Sequence, residues 1–393
     1  MEQSVKSRAA NTLNLGALLV YWVVFVSFFD NHSLLPLLSP YAKSLGASIE
    51  TIGLIVGAYS AVNLLGNLGT GYWIDRIGRK TPMVLGLFIV AGVLALYPLA
   101  GTATQLLVLR VAHGFGGALV SPASLALIDD RARPGQRGKA MAFYGASIGL
   151  TTLIAPPLSG MLRDRFGFGS VFVLLAVLMF TSALLTFFFV AETYTAREQA
   201  RVSWRVMLNR RLSVSYTSAF ALLFALGLLI VFLPLMANAL GMSSAQTGML
   251  FASFAVAAIL MMALPMGRIS DRIGRQIPIV TGLATISLAL GLMPVFGNVN
   301  ALYALMFLYG TGFGILFPAM TALIGDELPA DARGMGSGVF TAVFSLGATA
   351  GTLATGLLVN IQNTLGVHPF QTAAALILIA IVWAIIALAL RRR

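Results

Sequence analysis

Two side chains of this sequence stand out as candidates for chemistry, because each is charged and sits deep in a long apolar stretch. Sorting the 13 acidic residues against the apolar segments leaves one deep carboxylate, Asp30, and sorting the 25 basic ones leaves Arg110. Ionisable groups in such surroundings are costly and mark ion or substrate pathways. Burial favours the neutral form of a carboxyl group, whereas a neighbouring guanidinium favours the ionised form. A site where those two effects oppose each other gains or loses a proton when helices rearrange. The same pair can also serve as a permanent ion bridge that fixes helix packing.

Spacing sharpens the pair. Arg110, His113, Gly114, Gly117 and Ser121 fall at i, i+3, i+4, i+7 and i+11, one face of a helix made polar by the arginine and thin by the glycines. Ser27, Asp30 and Asn31 share another face, while His32 is turned about 140° from Ser27 and reads as a boundary residue. The later half of the chain has no deep charge. Its candidate cavity faces carry Tyr216, Phe220, Phe224 and Asn238 on one segment and Tyr309 and Phe317 on another. Such a lining suits a lipophilic or amphipathic compound better than a sugar, although aromatics at helical spacing also serve packing and lipid contact. Tyr59, Asn63, Gly66, Asn67 and Thr70 form a further face, assigned to an interface between halves.

The elements that must position these groups follow from composition. Hydrophobic residues make up 58% of the 393 positions and charged ones 10%, with a mean hydropathy of +0.90. Soluble domains average roughly 25% charged residues, so this chain lacks the polar side chains to cover a water-facing surface. A bilayer core takes about 20 helical residues to cross. Twelve segments qualify: 13–38, 49–73, 82–100, 103–128, 138–160, 168–190, 213–240, 244–267, 277–296, 299–324, 334–360 and 369–390. Continuous apolar runs indicate helices, not the alternating strands of a barrel. At about 1.5 Å per residue, Asp30 and Arg110 lie roughly 25 and 28 Å from the same side of the membrane, at matching depth.

The net charge of +12 is an orientation signal and excludes a nucleic-acid reading. With the N-terminus inside, nearly all Lys and Arg fall in loops on the cytoplasmic side, and Lys43, Arg163 and Arg165 fall outside. The expectation is both termini cytoplasmic, with the basic excess also free to contact anionic lipid. Lys6 and Arg8 lead into a first span too long for a cleaved signal peptide. The absence of cysteine excludes disulfides and thiolate ligands.

The chain also repeats itself. GYWIDRIGRK at 71–80 returns as GRISDRIGRQ at 267–276, an offset of 196. At the same offset Pro82 pairs with Pro278, Gly86 with Gly282, Gly114 with Gly310, Gly116 with Gly312, Pro122 with Pro318, Asp130 with Asp326 and Arg137 with Arg333. The expected organisation is a six-helix bundle over 1–190, a basic cytoplasmic connector over 191–212 and a second six-helix bundle over 213–393. Six spans per half give both copies one orientation, a parallel repeat about an axis along the membrane normal, which suits alternating access. Trp204, Val206 and Met207 mark the connector as an interfacial amphipathic segment.

The two loops resemble the signature loop of the major facilitator superfamily, and the resemblance covers essentially the whole chain. It implies that Gly71, Asp75, Arg76, Gly78, Arg79, Gly267, Asp271, Arg272, Gly274 and Arg275 latch the bundles in one access state; the plainer reading makes their cations topology determinants. Gly78 and Gly274 permit the tight turn. Arg131 or Arg137 is a candidate partner for Asp75. LVLRVAHGFGGA resembles the fourth-helix motif of proton-coupled members, with His113 where many have glutamine. The twelve-helix drug:proton antiporters commonly add an acidic residue in helix 1, so the resemblance makes Asp30 the proton carrier, Arg110 its partner and His113 part of the coupling site.

The fifth segment departs from the antiporter pattern. TLIAPPLSG keeps Pro156 and Gly160, but Thr151, Ala155 and Ser159 stand where glycines are expected. Pro156 and Pro157 preserve a helix kink. Ser147 in GASIG lies in an apolar helix without the strand–turn–helix setting of a hydrolase nucleophile, and no metal, phosphate-loop or dinucleotide motif occurs. The resulting expectation is an all-α membrane protein of twelve helices in two pseudo-symmetric bundles. It is a non-enzymatic, proton-coupled exporter of small lipophilic or amphipathic compounds in the cell membrane, needing no cofactor and working as a monomer. A lipid flippase or metabolite facilitator on the same fold is the alternative, and a non-transporting receptor or enzyme the remote one.

Overall fold

Inside a bilayer no water satisfies backbone N–H and C=O groups, so long apolar segments become helices. The computed structural model describes residues 2–132, 136–193, 209–264, 270, 272–296, 298–329 and 332–389, and contains no strand among them. Its helices are α1 Glu2–Ser33, α2 Leu38–Ser44, α3 Ile49–Ile77, α4 Lys80–Leu96, α5 Ala103–Arg131, α6 Arg137–Phe166 and α7 Phe168–Phe189. There follow α8 Arg210–Ala239, α9 Ser244–Ala263, α10 Gln276–Leu292, α11 Val299–Glu327, α12 Arg333–Leu353, α13 Thr355–Leu365 and α14 Pro369–Ala389.

Among the described residues, ten helices are long and apolar enough to span a bilayer, and Gly16–Ser33 with α2 makes an eleventh, bent by 49°. The chain is an integral, multi-pass membrane protein. Three expected spans take a different form. Segment 13–38 breaks at Pro36, which has no N–H to give the His32 carbonyl; the Leu35 N–H takes that carbonyl instead, at 3.2 Å, and tightens the turn. Segment 277–296 becomes α10, apolar but only 17 residues long. The expected span 334–360 divides at Ala354 into α12 and α13.

The sequence repeat is also a repeat of contacts. Arg79 Nε lies 2.7 Å from Asp130 Oδ2, and 196 residues on, Arg275 Nε lies 2.7 Å from Asp326 Oδ2. A Cβ at Gly86 would come within 2.6 Å of the Gly116 carbonyl, and one at Gly282 within 2.8 Å of the Gly312 carbonyl. The α4–α5 and α10–α11 crossings thus use equivalent glycines for the same purpose, backbone approach.

Between the halves, α6 packs on α9 and α3 on α12. A side chain at Gly160 would strike the Ser244 carbonyl, one at Gly248 the Pro156 carbonyl, and one at Gly53 the Thr355 hydroxyl. These contacts lie at one end of the bundle, the far face. Towards the opposite end, the loop face, a Cβ at Gly69, Gly138, Gly145 or Gly338 would meet nothing within 4 Å. The halves close at the far face. The face expected at this interface divides: Tyr59 lines a cavity shared with Ala348 and Thr352 of the second half, whereas a Cβ at Gly66 would meet Ala118 of α5 inside the first half.

Candidate functional site

Asp30 and His113 meet between α1 and α5. His113 Nε2 lies 2.8 Å from Asp30 Oδ2, each side chain 1% exposed. His113 Nδ1 is 2.9 Å from the Tyr97 hydroxyl, which belongs to the 3₁₀ turn after α4. The neutral Nε2–H tautomer, assigned from this network, donates to the carboxylate and accepts from Tyr97. Every polar atom of the three side chains then has a use except Asp30 Oδ1, which is buried without a partner.

Arg110 corrects an expectation. It is buried at the same level, yet makes no ion pair with Asp30 among the described residues. Its Nε donates to the Ile55 carbonyl at 3.2 Å and Nη2 to the Val56 carbonyl at 3.5 Å. The guanidinium also lies over the Tyr59 ring, 4.8 Å from the centroid. The reason is reach: the shorter imidazole, three residues along the same face, fills the space beside the carboxylate, while the long arginine runs on to α3. Tyr59 joins the two sets, its ring edge-on to His113 at 5.1 Å and its hydroxyl accepting from Asn31 Nδ2 at 3.0 Å. Tyr59 and Tyr97 were not singled out as chemistry from sequence, because nothing local distinguishes a hydroxyl aimed at a histidine from one aimed at lipid.

Two adjoining cavities lie between the halves, of about 120 Å³ and about 180 Å³. His32 lines both. Its Nδ1 sits 3.0 Å from the Thr151 hydroxyl. It is thus no boundary residue: the bend after Ser33 carries α1 past it and leaves the ring facing α6. Thr151 and Ser159, which replace expected glycines, both hold α1; the Ser159 hydroxyl donates to the Ser33 carbonyl at 2.8 Å. Helix α6 runs unbroken through Pro156 and Pro157.

The other cavity candidates separate. Tyr309 lines the smaller cavity, fully buried, its hydroxyl without a partner. Asn31 lines the larger one, and the Ser27 carbonyl one turn back accepts from Asn31 at 3.1 Å. Tyr216, Phe220 and Phe224 instead line a groove formed with Val343 of α12 and Trp383 of α14, inside the second half. They miss the central cavity because glycines on α12 draw α8 against it: a Cβ at Gly347 would meet the Phe220 backbone. Asn238 is exposed at the end of α8. Phe317 stacks on Phe313 at 5.5 Å, in an aromatic file running from Tyr309 through Phe254 to α12.

At the loop face, the turn after α3 is held by the start of the connector. Glu192 accepts from the backbone N–H of Arg79 at 3.0 Å and of Lys80 at 2.9 Å. Gly78, at φ +92°, leaves no Cβ where that carboxylate packs. Gly274 repeats the geometry at φ +85°. Arg76 and Arg272 are exposed. Arg131 donates to the Ala191 carbonyl at 2.7 Å. Gly71 lies in α3; the Asp75 and Arg137 side chains, Gly267, Asp271 and connector residues Trp204, Val206 and Met207 lie outside the described residues. At the far face, Asp164 of α6 accepts from the Ser244 and Ala245 N–H groups of α9 at 3.1 and 2.8 Å, one half capping a helix of the other.

The Major Facilitator Superfamily model matches this chain twice, over residues 20–229 and 215–393. The chain is 24% identical over 375 residues to multidrug resistance protein 2 of Bacillus subtilis (strain 168), covering 91% of each chain. It is 32% identical over 307 residues to the multidrug resistance protein MdtG of Dickeya zeae (strain Ech586), covering 74% of each. Among solved structures it resembles a bacterial homologue of the human lysosomal transporter Spinster, in its inward-facing and unoccupied conformation. That match has a TM-score of 0.79 at 16% identity and covers 96% of each chain. The duplicated helix crossings, the buried polar cluster and these matches agree: the chain belongs to the major facilitator superfamily, whose members are transporters of small molecules and not enzymes.

Proposed function

We propose that the protein is a proton-coupled exporter of small lipophilic or amphipathic compounds, working by alternating access in the cell membrane. The observation that carries this reading is Asp30, a carboxylate 1% exposed with one oxygen held by His113 and the other unpartnered. A buried carboxylate oxygen without a partner calls for an explanation, and a role in proton transfer supplies one. With the bundles over 1–190 and 213–393 rocking about the cavity, a change in the α1–α5 contact alters access to Oδ1 and the hold of His113 on Oδ2. The proton then loads on one side and leaves on the other.

On this reading both termini lie in the cytoplasm, as the positive-inside pattern of the loops favours, and closure at the far face corresponds to an inward-facing state. The multidrug-resistance names of relatives support export of foreign compounds. In proteoliposomes, Asp30→Asn is expected to abolish uphill movement driven by a pH gradient while sparing exchange at equal concentrations. Accumulation by that variant against a gradient would refute the coupling role. The apolar groove under Tyr216 and Phe224 favours a second reading, a lipid as cargo; fluorescent-lipid scrambling run beside dye efflux separates the two.

A further inference from the structure

Two residues that line the central cavities each carry a buried donor without a protein partner. Arg110 Nη1 has no partner, and its side chain lines the larger cavity; the Tyr309 hydroxyl has none and lines the smaller one. Neither lining contains a carboxylate. Asp30 is absent from both, its Oδ2 taken by His113. Arg110 is thus the one fixed charge in either lining; the larger cavity beside it also carries Asn31, Ser60 and Thr352, and the smaller adjoining one is walled mainly by Leu226, Leu229, Phe251, Phe254 and Met306, with His32 lining both. Leaving a charged donor dry and unsatisfied is costly, whereas a bound carboxylate meets it with a charge-assisted bond.

We infer that the ligand is an amphipathic organic monoanion, its carboxylate on Arg110 and its apolar body against α8, α9 and α11, with an acceptor at the far end reaching Tyr309. The class is narrower than the lipophilic compounds proposed above, and it rests on these cavities being the transport site. Arg110 is then free for substrate because His113, not Arg110, attends Asp30. A cation is the disfavoured ligand: it would approach the guanidinium with no lining carboxylate to offset repulsion.

The test is equilibrium binding to the purified full chain in detergent at fixed neutral pH, which does not depend on proton coupling. Naphthylacetate, its primary amide and the corresponding naphthylalkylamine are titrated by calorimetry. The carboxylate is expected to bind roughly tenfold or more tighter than the amide, with the amine weakest. Arg110→Gln should erase that preference and Arg110→Lys retain most of it. A methoxy group on the distal ring should tighten binding several-fold in the native chain and not in Tyr309→Phe. Equal affinities across the series, or tightest binding of the amine, overturn the inference, and both results are read on the native protein alone. Carboxylate selectivity in a protein that fails the pH-gradient assay would sink the coupling mechanism and leave this inference standing.

Discussion

His113 reaches Asp30 from the same face of α5 that carries Arg110, its Nε2 2.8 Å from Oδ2, while the arginine turns away to the Ile55 carbonyl. The acid in α1 thus has a titratable partner of its own, and the guanidinium is left to face the cavity. Direct contact gives the larger coupling, whereas Arg110 meets the Asp30–His113 pair through shared neighbours, Tyr59 and Tyr97. A double-mutant cycle on thermal unfolding with Asp30→Asn and His113→Ala should therefore show a non-additive term of about 0.5–3 kcal/mol. The cycle of Asp30→Asn with Arg110→Ala should come closer to additive. The reverse ranking would restore the arginine as the partner of Asp30.

On the alternating-access reading proposed here, the cap at the far face should bias the balance between access states. Asp164 satisfies two N–H groups at the start of α9 from the other half of the molecule, and loss of such a cap costs about 0.5–2 kcal/mol. Asp164→Ala should shift the population towards opening at that face by roughly 2- to 30-fold. Labelling of single cysteines introduced beside Gly160, in this cysteine-free chain, reads the change directly. Unaltered labelling would mean that the cap does not bias the equilibrium.

Closure also depends on what is missing from Gly248. Any side chain there would strike the Pro156 backbone, which cannot move aside as a flexible side chain can. Gly248→Val is expected to abolish transport while leaving the protein folded in detergent. Gly149→Ala, where a Cβ would sit 3.7 Å from Ile259, should stay within about twofold of the native rate. Comparable rates for the two variants would deny the α6–α9 crossing a role in the cycle.

The repeated Arg–Asp pairs should differ in weight. The Arg79 and Asp130 side chains are 5% and 7% exposed, whereas Asp326 is 48% exposed. Stranding a buried charge costs about 3–5 kcal/mol, and an exposed pair contributes roughly 0–1 kcal/mol. Arg79→Ala should lower the thermal unfolding midpoint several times more than Arg275→Ala. Equal losses would show that burial does not distinguish the two loops.

The sequence by itself determined the membrane, the helices and the duplicated plan. Those follow from chain-wide quantities: too few charges to face water, apolar runs of bilayer length, and one offset kept from Pro82 to Arg137. It also located the depth at which Asp30 and α5 meet, because helical rise is fixed. Only the tertiary structure decided which side chain takes the carboxylate, since three residues on one face share a depth and differ in reach. His113 fits the gap beside α1, Arg110 overshoots it, and a bend at Pro36 aims His32 into the cavity. The cap from Asp164 was equally hidden, for it joins positions 80 residues apart that meet only once α6 and α9 cross on their glycines. Partner choice of this kind depends on side-chain length and backbone approach at a crossing, and neither is written in the period of a helix.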